Sequence, residues 1–173
     1  MLPVSILSFS VQGRLHTINP MQKIRHSIFI NAPKEKVWDA MLEDATYREW
    51  TKPFNEGSYY EGSWEEGATI KFHGVDENGE AQQGGMYSRI KENRLHEFVS
   101  IEHLGFIGLD GTIDTESAEV KKWTPAFENY TFIAIDGGTN VDIEVDSPEE
   151  YSEMFDELWP PALQLLKEIA ETK

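Results

Sequence analysis

Residues 147–169 read SPEEYSEMFDELWPPALQLLKEI, and this stretch decides the architecture. Ser147, Pro148 and Glu150 form a helix start, with a capping hydroxyl, a proline at the first position and an acid three residues on. Tyr151, Met154, Phe155, Leu158, Ala162, Leu165, Leu166 and Ile169 then recur at three- and four-residue steps. That spacing predicts an amphipathic helix of about two dozen residues, on the order of 35 Å long at 1.5 Å per residue. Pro160-Pro161 disagrees with the pattern, because an interior proline removes a backbone hydrogen bond and crowds the preceding turn. A kink or break is therefore expected near Trp159.

Immediately upstream, 127–135 and 139–145 read as strands joined by Asp136-Gly137-Gly138. In the second, Val141, Ile143 and Val145 alternate with Asp142, Glu144 and Asp146, which gives one apolar and one polar face. Near the other end of the chain, Ile24, His26, Ile28 and Ile30 alternate in the same way, until Asn31-Ala32-Pro33 stops the strand. Val37, Trp38, Met41 and Leu42 mark a first short helix, and 45–50 a second that ends ahead of Pro53. Between these ends lie more strands. Ile70 and Phe72 share a face, Asn78-Gly79 is a hairpin turn, and Met86, Ser88 and Ile90 alternate with Tyr87, Arg89 and Lys91. Another strand is expected over 95–103, turned by Glu92-Asn93. The order is strand, two short helices, about six strands and a long helix, which predicts an α+β fold with helices on one face of an antiparallel sheet.

The 173 residues suit one domain, and a chain of this length buries enough surface to fold without disulfides or metal. There is no cysteine, which removes disulfide frameworks, thiolate nucleophiles and sulfur-ligated metals together. A cytoplasmic location is the expectation. With 31 acidic and 15 basic residues the formal charge is −16, so a nucleic-acid partner or an anionic membrane surface is disfavoured. No segment reaches the length of a membrane span. The opening run from Leu2 to Phe9 lacks the basic start and cleavage site of a signal peptide. Residues 1–20 are expected to form a poorly ordered extension, with Met21 an alternative start and 21–173 a single domain.

The run Ile28-Phe29-Ile30-Asn31-Ala32-Pro33-Lys34-Glu35-Lys36-Val37-Trp38 resembles the opening of START-like domains, the SRPBCC or birch-pollen-allergen-like superfamily. More narrowly, the chain resembles the branch of homologues of the activator of heat-shock-protein-ninety ATPase. Trp50 after the second helix, Gly57 through Gly67, Gly84-Gly85, and the late Glu128-Asn129-Tyr130-Thr131-Phe132 strand support this. The resemblance spans 21–169 and implies a helix-grip fold, a curved antiparallel sheet wrapped around the long C-terminal helix with a cavity between them. Such families hold lipid and hormone carriers, polyketide cyclases, oxygenase subunits and co-chaperones, so the fold alone does not fix the function. The leading expectation is a binder of an apolar or amphipathic small molecule. A co-chaperone-type interaction module with a protein partner, and a cyclase or hydrolase, are the alternatives. Pro160-Pro161 departs from the family pattern and bears on the cavity floor.

Lining candidates for such a cavity are Trp50, Phe54, Phe72, Met86, Tyr130, Phe155, Leu158 and Trp159, although the same spacings serve ordinary core packing. Strict alternation along 95–103 puts Glu97 and His103 on the face of Leu95, Val99 and Ile101, where a desolvated acid and imidazole would contact a polar ligand group, although an exposed or hydrogen-bonded edge position fits the same pattern. Phe98 on the other face warns of a bulge. His96 and His103, seven apart, face opposite ways and cannot share a metal on a regular strand. The segment 104–124, with Gly105, Gly108 and Gly111 and a short helix over 116–123, reads as a lid over the cavity mouth or, failing that, a passive surface loop. Asp110, Asp114 and Glu116 do not fit the calcium-loop pattern, so no metal is expected. No Gly-x-Ser-x-Gly elbow, phosphate loop or dinucleotide fingerprint is present, and the sequence reads as having no His held beside a Ser by an acid. No catalytic residue and no cofactor are expected.

Overall fold

The computed structural model describes residues 20–75 and 81–172. The Asn78-Gly79 turn, and all of the expected extension before Pro20, lie outside the described residues. In chain order the elements are β1 (Met21–Ile30), α1 (Lys34–Leu42), α2 (Asp44–Trp50), β2 (Tyr59–Gly62), β3 (Thr69–Val75) and β4 (Ala81–Arg94). There follow β5 (Phe98–Ile107), β6 (Ile113–Asp114), α3 (Ala118–Lys121), β7 (Ala126–Ile135), β8 (Gly138–Pro148) and α4 (Glu149–Thr172). The strands form one antiparallel sheet in the order β1-β8-β7-β5-β4-β3-β2, with β6 paired to β5. Because β1 and β2 stand at opposite edges, the α1–α2 connection crosses the whole sheet, and α4 packs against β1, α1 and α2 on that same side.

Alternation creates the two faces. Thr139, Val141, Ile143, Val145 and Ser147 of β8 are buried, and the register sets Ile24 against Val145 and Ile28 against Val141 on β1. On the outer face Lys23 and Arg25 pair with Glu144 at 2.8 and 3.0 Å, exposed contacts that contribute little.

Helix α4 runs unbroken through Pro160 and Pro161, so of the kink or break expected near Trp159 the break does not occur. Both prolines are exposed, as are Asp156 and Glu157, whose carbonyls lose their helical partners. The vacant acceptors thus face water, while Phe155, Trp159, Ala162, Leu163, Leu166 and Ala170 stay buried on the other side. Ser147 does not cap the helix. Its hydroxyl is buried and donates to the Pro148 carbonyl at 3.0 Å, and β8 passes directly into α4.

Strand β5 begins at Phe98, three residues later than the alternation of 95–103 suggests. Residues 95–97 form a turn instead, with Glu97 N–H bonded to the Arg94 carbonyl at 2.9 Å and His96 at a φ of 60°. The strand also runs further, to Ile107, and so absorbs the start of the expected lid. The rest of that segment is anchored: Val120 is fully buried, Ser117 caps α3 by accepting from Val120 N–H, and the Trp123 ring lies 4.6 Å from Phe106.

Candidate functional site

Three neighbouring strands bring four polar side chains together on the inner face. Ser88 of β4 stands opposite His103 of β5, while Glu128 and Tyr130 of β7 stand opposite Ile101 and Val99. A register shift where Tyr87 pairs with Gly105 and Ser88 with His103 leaves Leu104 as an extra residue on β5. This bulge resets the alternation, so that His103 faces Ser88 while Phe106 stands opposite Met86.

The four form a continuous chain. Ser88 Oγ lies 2.8 Å from His103 Nδ1, and His103 Nε2 lies 3.2 Å from Glu128 Oε2. Tyr130 Oη donates to Glu128 Oε1. The carboxylate can only accept, so the imidazole proton belongs on Nε2, and Nδ1 is the acceptor for the Ser88 hydroxyl. Ser88, His103 and Tyr130 are each 1% exposed and Glu128 is 0%. Burial pushes His103 below the ordinary imidazole value, against the opposing pull of Glu128, and so favours the neutral ring. Burial and the neighbouring Glu128 charge hold Tyr130 well above the usual phenol value, which keeps it a hydrogen-bond donor; Tyr47 is raised for the same reasons. A desolvated acid, imidazole and hydroxyl linked this way can position a polar ligand group or move a proton.

An aromatic layer encloses this chain. Phe72 lies 6.2 Å from the His103 ring and 6.2 Å from Tyr47, and Tyr47 lies 5.5 Å from Trp50. Trp159, delivered by α4, stacks on Trp50 at 6.1 Å and meets Phe54 at 5.0 Å and Tyr130 at 6.2 Å. Trp50 donates its indole N–H to the Met41 carbonyl at 2.9 Å. Trp159 does not match it: its Nε1 is buried and has no acceptor among the described residues. A buried donor left unspent carries a real desolvation cost.

Of the residues named from sequence, Trp50, Phe54, Phe72, Met86, His103, Tyr130, Phe155 and Trp159 are buried in one core. Leu158 is half-buried at its flank. Glu97 is exposed in the turn before β5, because the strand starts after it, and it does not join the polar chain. The acid beside His103 is Glu128. The expectation that no Ser–His–acid arrangement exists is thereby corrected, since Ser88 and Glu128 lie 15 and 25 residues from His103 and meet it only through the sheet. Alternation did carry a signal for both, placing Ser88 on the face of Met86 and Ile90, and Glu128 on that of Tyr130 and Phe132. Among the described residues no group of three or more His, Asp or Glu side chains is placed to hold a metal ion. No helix among them is long and apolar enough to cross a membrane.

Comparison with known proteins agrees on architecture. The protein ChR145 from Cytophaga hutchinsonii shares 22% identity and superposes with a TM-score of 0.62, over 87% of this chain and 94% of that one. The fold is a helix grip. The Aha1 dimer from Colwellia psychrerythraea has a similar grip at 19% identity, with a TM-score of 0.62 over 87% of this chain and 97% of that one. A Staphylococcus aureus protein of unknown function, SA2116, gives a TM-score of 0.66 at 13% identity, over 89% and 96%. No family model matches the chain, and no curated protein matches it either. At such identities the likeness carries the grip and not the activity.

Proposed function

We propose that the protein binds an apolar or amphipathic small molecule between the inner face of the sheet and α4. The observation that carries this reading is the buried chain Ser88–His103–Glu128–Tyr130 set in an aromatic enclosure, where Trp159 Nε1 has no acceptor among the described residues. A core built only for stability has little use for a desolvated carboxylate and imidazole, since apolar residues of similar volume serve as well or better. Ligand sites combine mainly apolar walls with a few convergent polar groups, and this face has that composition. In this reading the aromatic rings hold the ligand's apolar body and the polar chain fixes its head. The START-like resemblance of 21–169 points the same way.

Native mass spectrometry of the protein purified from its own host, with extraction of any bound molecule, tests the reading. A stoichiometric apolar ligand, lost in Trp159→Ala, is the expected result. A clean apo mass, with no gain in melting temperature across a panel of lipids and aromatic compounds, would overturn it.

The co-chaperone alternative has one observation in its favour. Phe29, Ile133 and Ile135 are 41%, 42% and 45% exposed, and Phe29 and Ile133 both stand opposite Asn140, so they flank one position of the outer face. Three exposed side chains make a small patch, and the buried polar chain plays no part in it.

A further inference from the structure

The same polar chain has the connectivity of an activated nucleophile. We infer that Ser88 Oγ is an acyl-accepting nucleophile, with His103 as its base and Glu128 as the group that positions the imidazole, and that its substrate class is carboxylic esters with apolar acyl chains. The inference rests on the binding reading, because the ester must occupy the compartment proposed for the ligand.

The geometry supplies the parts in order. Ser88 Oγ is 2.8 Å from His103 Nδ1, within reach for direct proton transfer. Glu128 accepts from the far nitrogen at 3.2 Å and so fixes the tautomer that leaves Nδ1 free to take a proton. Tyr130 donates to the other carboxylate oxygen and holds Glu128 as an acceptor. Burial keeps the imidazole in its neutral, basic form near pH 7. The two nitrogens exchange the roles they have in the familiar serine-protease arrangement, which the chemistry permits because either ring nitrogen can be the base. Ser88 lies within a strand paired on both sides, so its neighbouring backbone N–H groups belong to ladders. A side-chain donor must therefore face the developing oxyanion. In this inference the role falls to Trp159, whose ring meets Tyr130 at 6.2 Å and whose buried Nε1 has no partner among the described residues.

The steps balance with water as the only co-reactant. Ser88 Oγ attacks the ester carbonyl carbon while His103 Nδ1 takes the hydroxyl proton. The carbonyl–alkoxy bond breaks, and the departing alkoxide leaves as alcohol with that proton. Water then attacks the acyl-serine, giving its proton to His103; the acid is released, and the proton returns to Ser88.

The test uses the full chain and two probes: a long-chain alkyl fluorophosphonate, and an alkyl ether of the same length that cannot react. Intact mass and peptide mapping are expected to show one phosphonyl adduct per chain, on Ser88, while the ether raises the melting temperature. His103→Gln should slow labelling by about 10²-fold or more, the usual worth of a positioned base. Trp159→Phe should slow turnover of a p-nitrophenyl ester by about 10²-fold, as loss of an oxyanion donor does. Glu128→Gln should lower the plateau of the labelling rate and move its pH midpoint downward, because Glu128 raises the basicity of His103 while Tyr130 faces the same carboxylate. Wild-type labelling needs no variant to fold, so the central result does not depend on one. Ether binding without any Ser88 adduct would overturn the nucleophile and leave the binding reading standing. Neither binding nor labelling would overturn both, and an adduct at another residue would overturn the assignment to Ser88.

Discussion

His103 is held in a state that water would not choose for it at mildly acidic pH, and that has a consequence for stability. In the unfolded chain an imidazole takes up its proton near its ordinary value of 6.5, whereas burial lowers the folded value, with Glu128 opposing. Between the two values the unfolded state binds more protons than the folded one, so stability falls as pH drops below about 6.5 and is fully present above it. Tyr130 and Ser88 stay uncharged in this window, and Asp146 adds a weaker pull toward protonation. Urea unfolding at pH 7.5, 6.5 and 5.5 should show that decline, and His103→Gln should make it shallower, the remaining slope coming from His73, which burial also holds below the ordinary imidazole value. A wild-type profile without slope over that range would mean that the imidazole is not held neutral. Half of this chemistry was legible residue by residue. Alternation along 95–103 turns His103 inward, as the structure has it, but it carries Glu97 inward only if one strand continues through residues 95–97, which form a turn. The true partner, Glu128, lies on another strand, and no periodicity within a single segment states which strands will be neighbours.

At the scale of elements, faces were easier to read than boundaries. The alternation of β8 and the stripe of α4 were clear because each exposes one side to water and buries the other. The start of β5 was not, since Leu95 is apolar and fits the strand period, yet is 68% exposed in a turn. The bulge at Leu104 was equally hidden, because one unpaired residue leaves no compositional mark. The prolines of α4 mark a local conflict in the pattern, for which a kink or break is expected, and the helix does not break there. Their exposure lets water take the vacated carbonyls, while the buried face keeps its packing. A cost should nevertheless remain. Pro160→Ala restores an N–H to the helix and removes a ring from a crowded turn, a change favourable by up to about 3 kcal/mol, less about 1 kcal/mol for the freedom regained by the unfolded chain. Thermal unfolding is therefore expected to shift upward in P160A, with the far-ultraviolet circular dichroism of the native state unchanged. A loss of stability would show that the proline ring makes packing contacts worth more than the helical bond.

Across the whole molecule, a dominant inward force and an outward one set the balance. The grip buries a large aromatic core, including Trp50, Trp159, Tyr47, Tyr130, Phe72 and Phe155. Against it stands a surface with 31 acids and 15 bases, a formal charge of −16. Like charges are closer together in the folded chain than in the unfolded one, so their repulsion works against the compact state. Surface pairs such as Lys23–Glu144 and Arg48–Asp44 work the other way, but they are exposed and each contributes little. Salt weakens both contributions, and the excess of acids decides the sign. Raising sodium chloride from about 10 mM to about 300 mM shortens the screening length from roughly 30 Å to below 8 Å, which removes repulsion between distant carboxylates first. The melting temperature should rise over that range, steeply at the low end and then level off. Choline chloride should reproduce the rise, since screening by a monovalent salt does not depend on the cation. A fall would mean that the few cations hold the folded surface together, and a rise with sodium alone would point to a bound ion in place of screening.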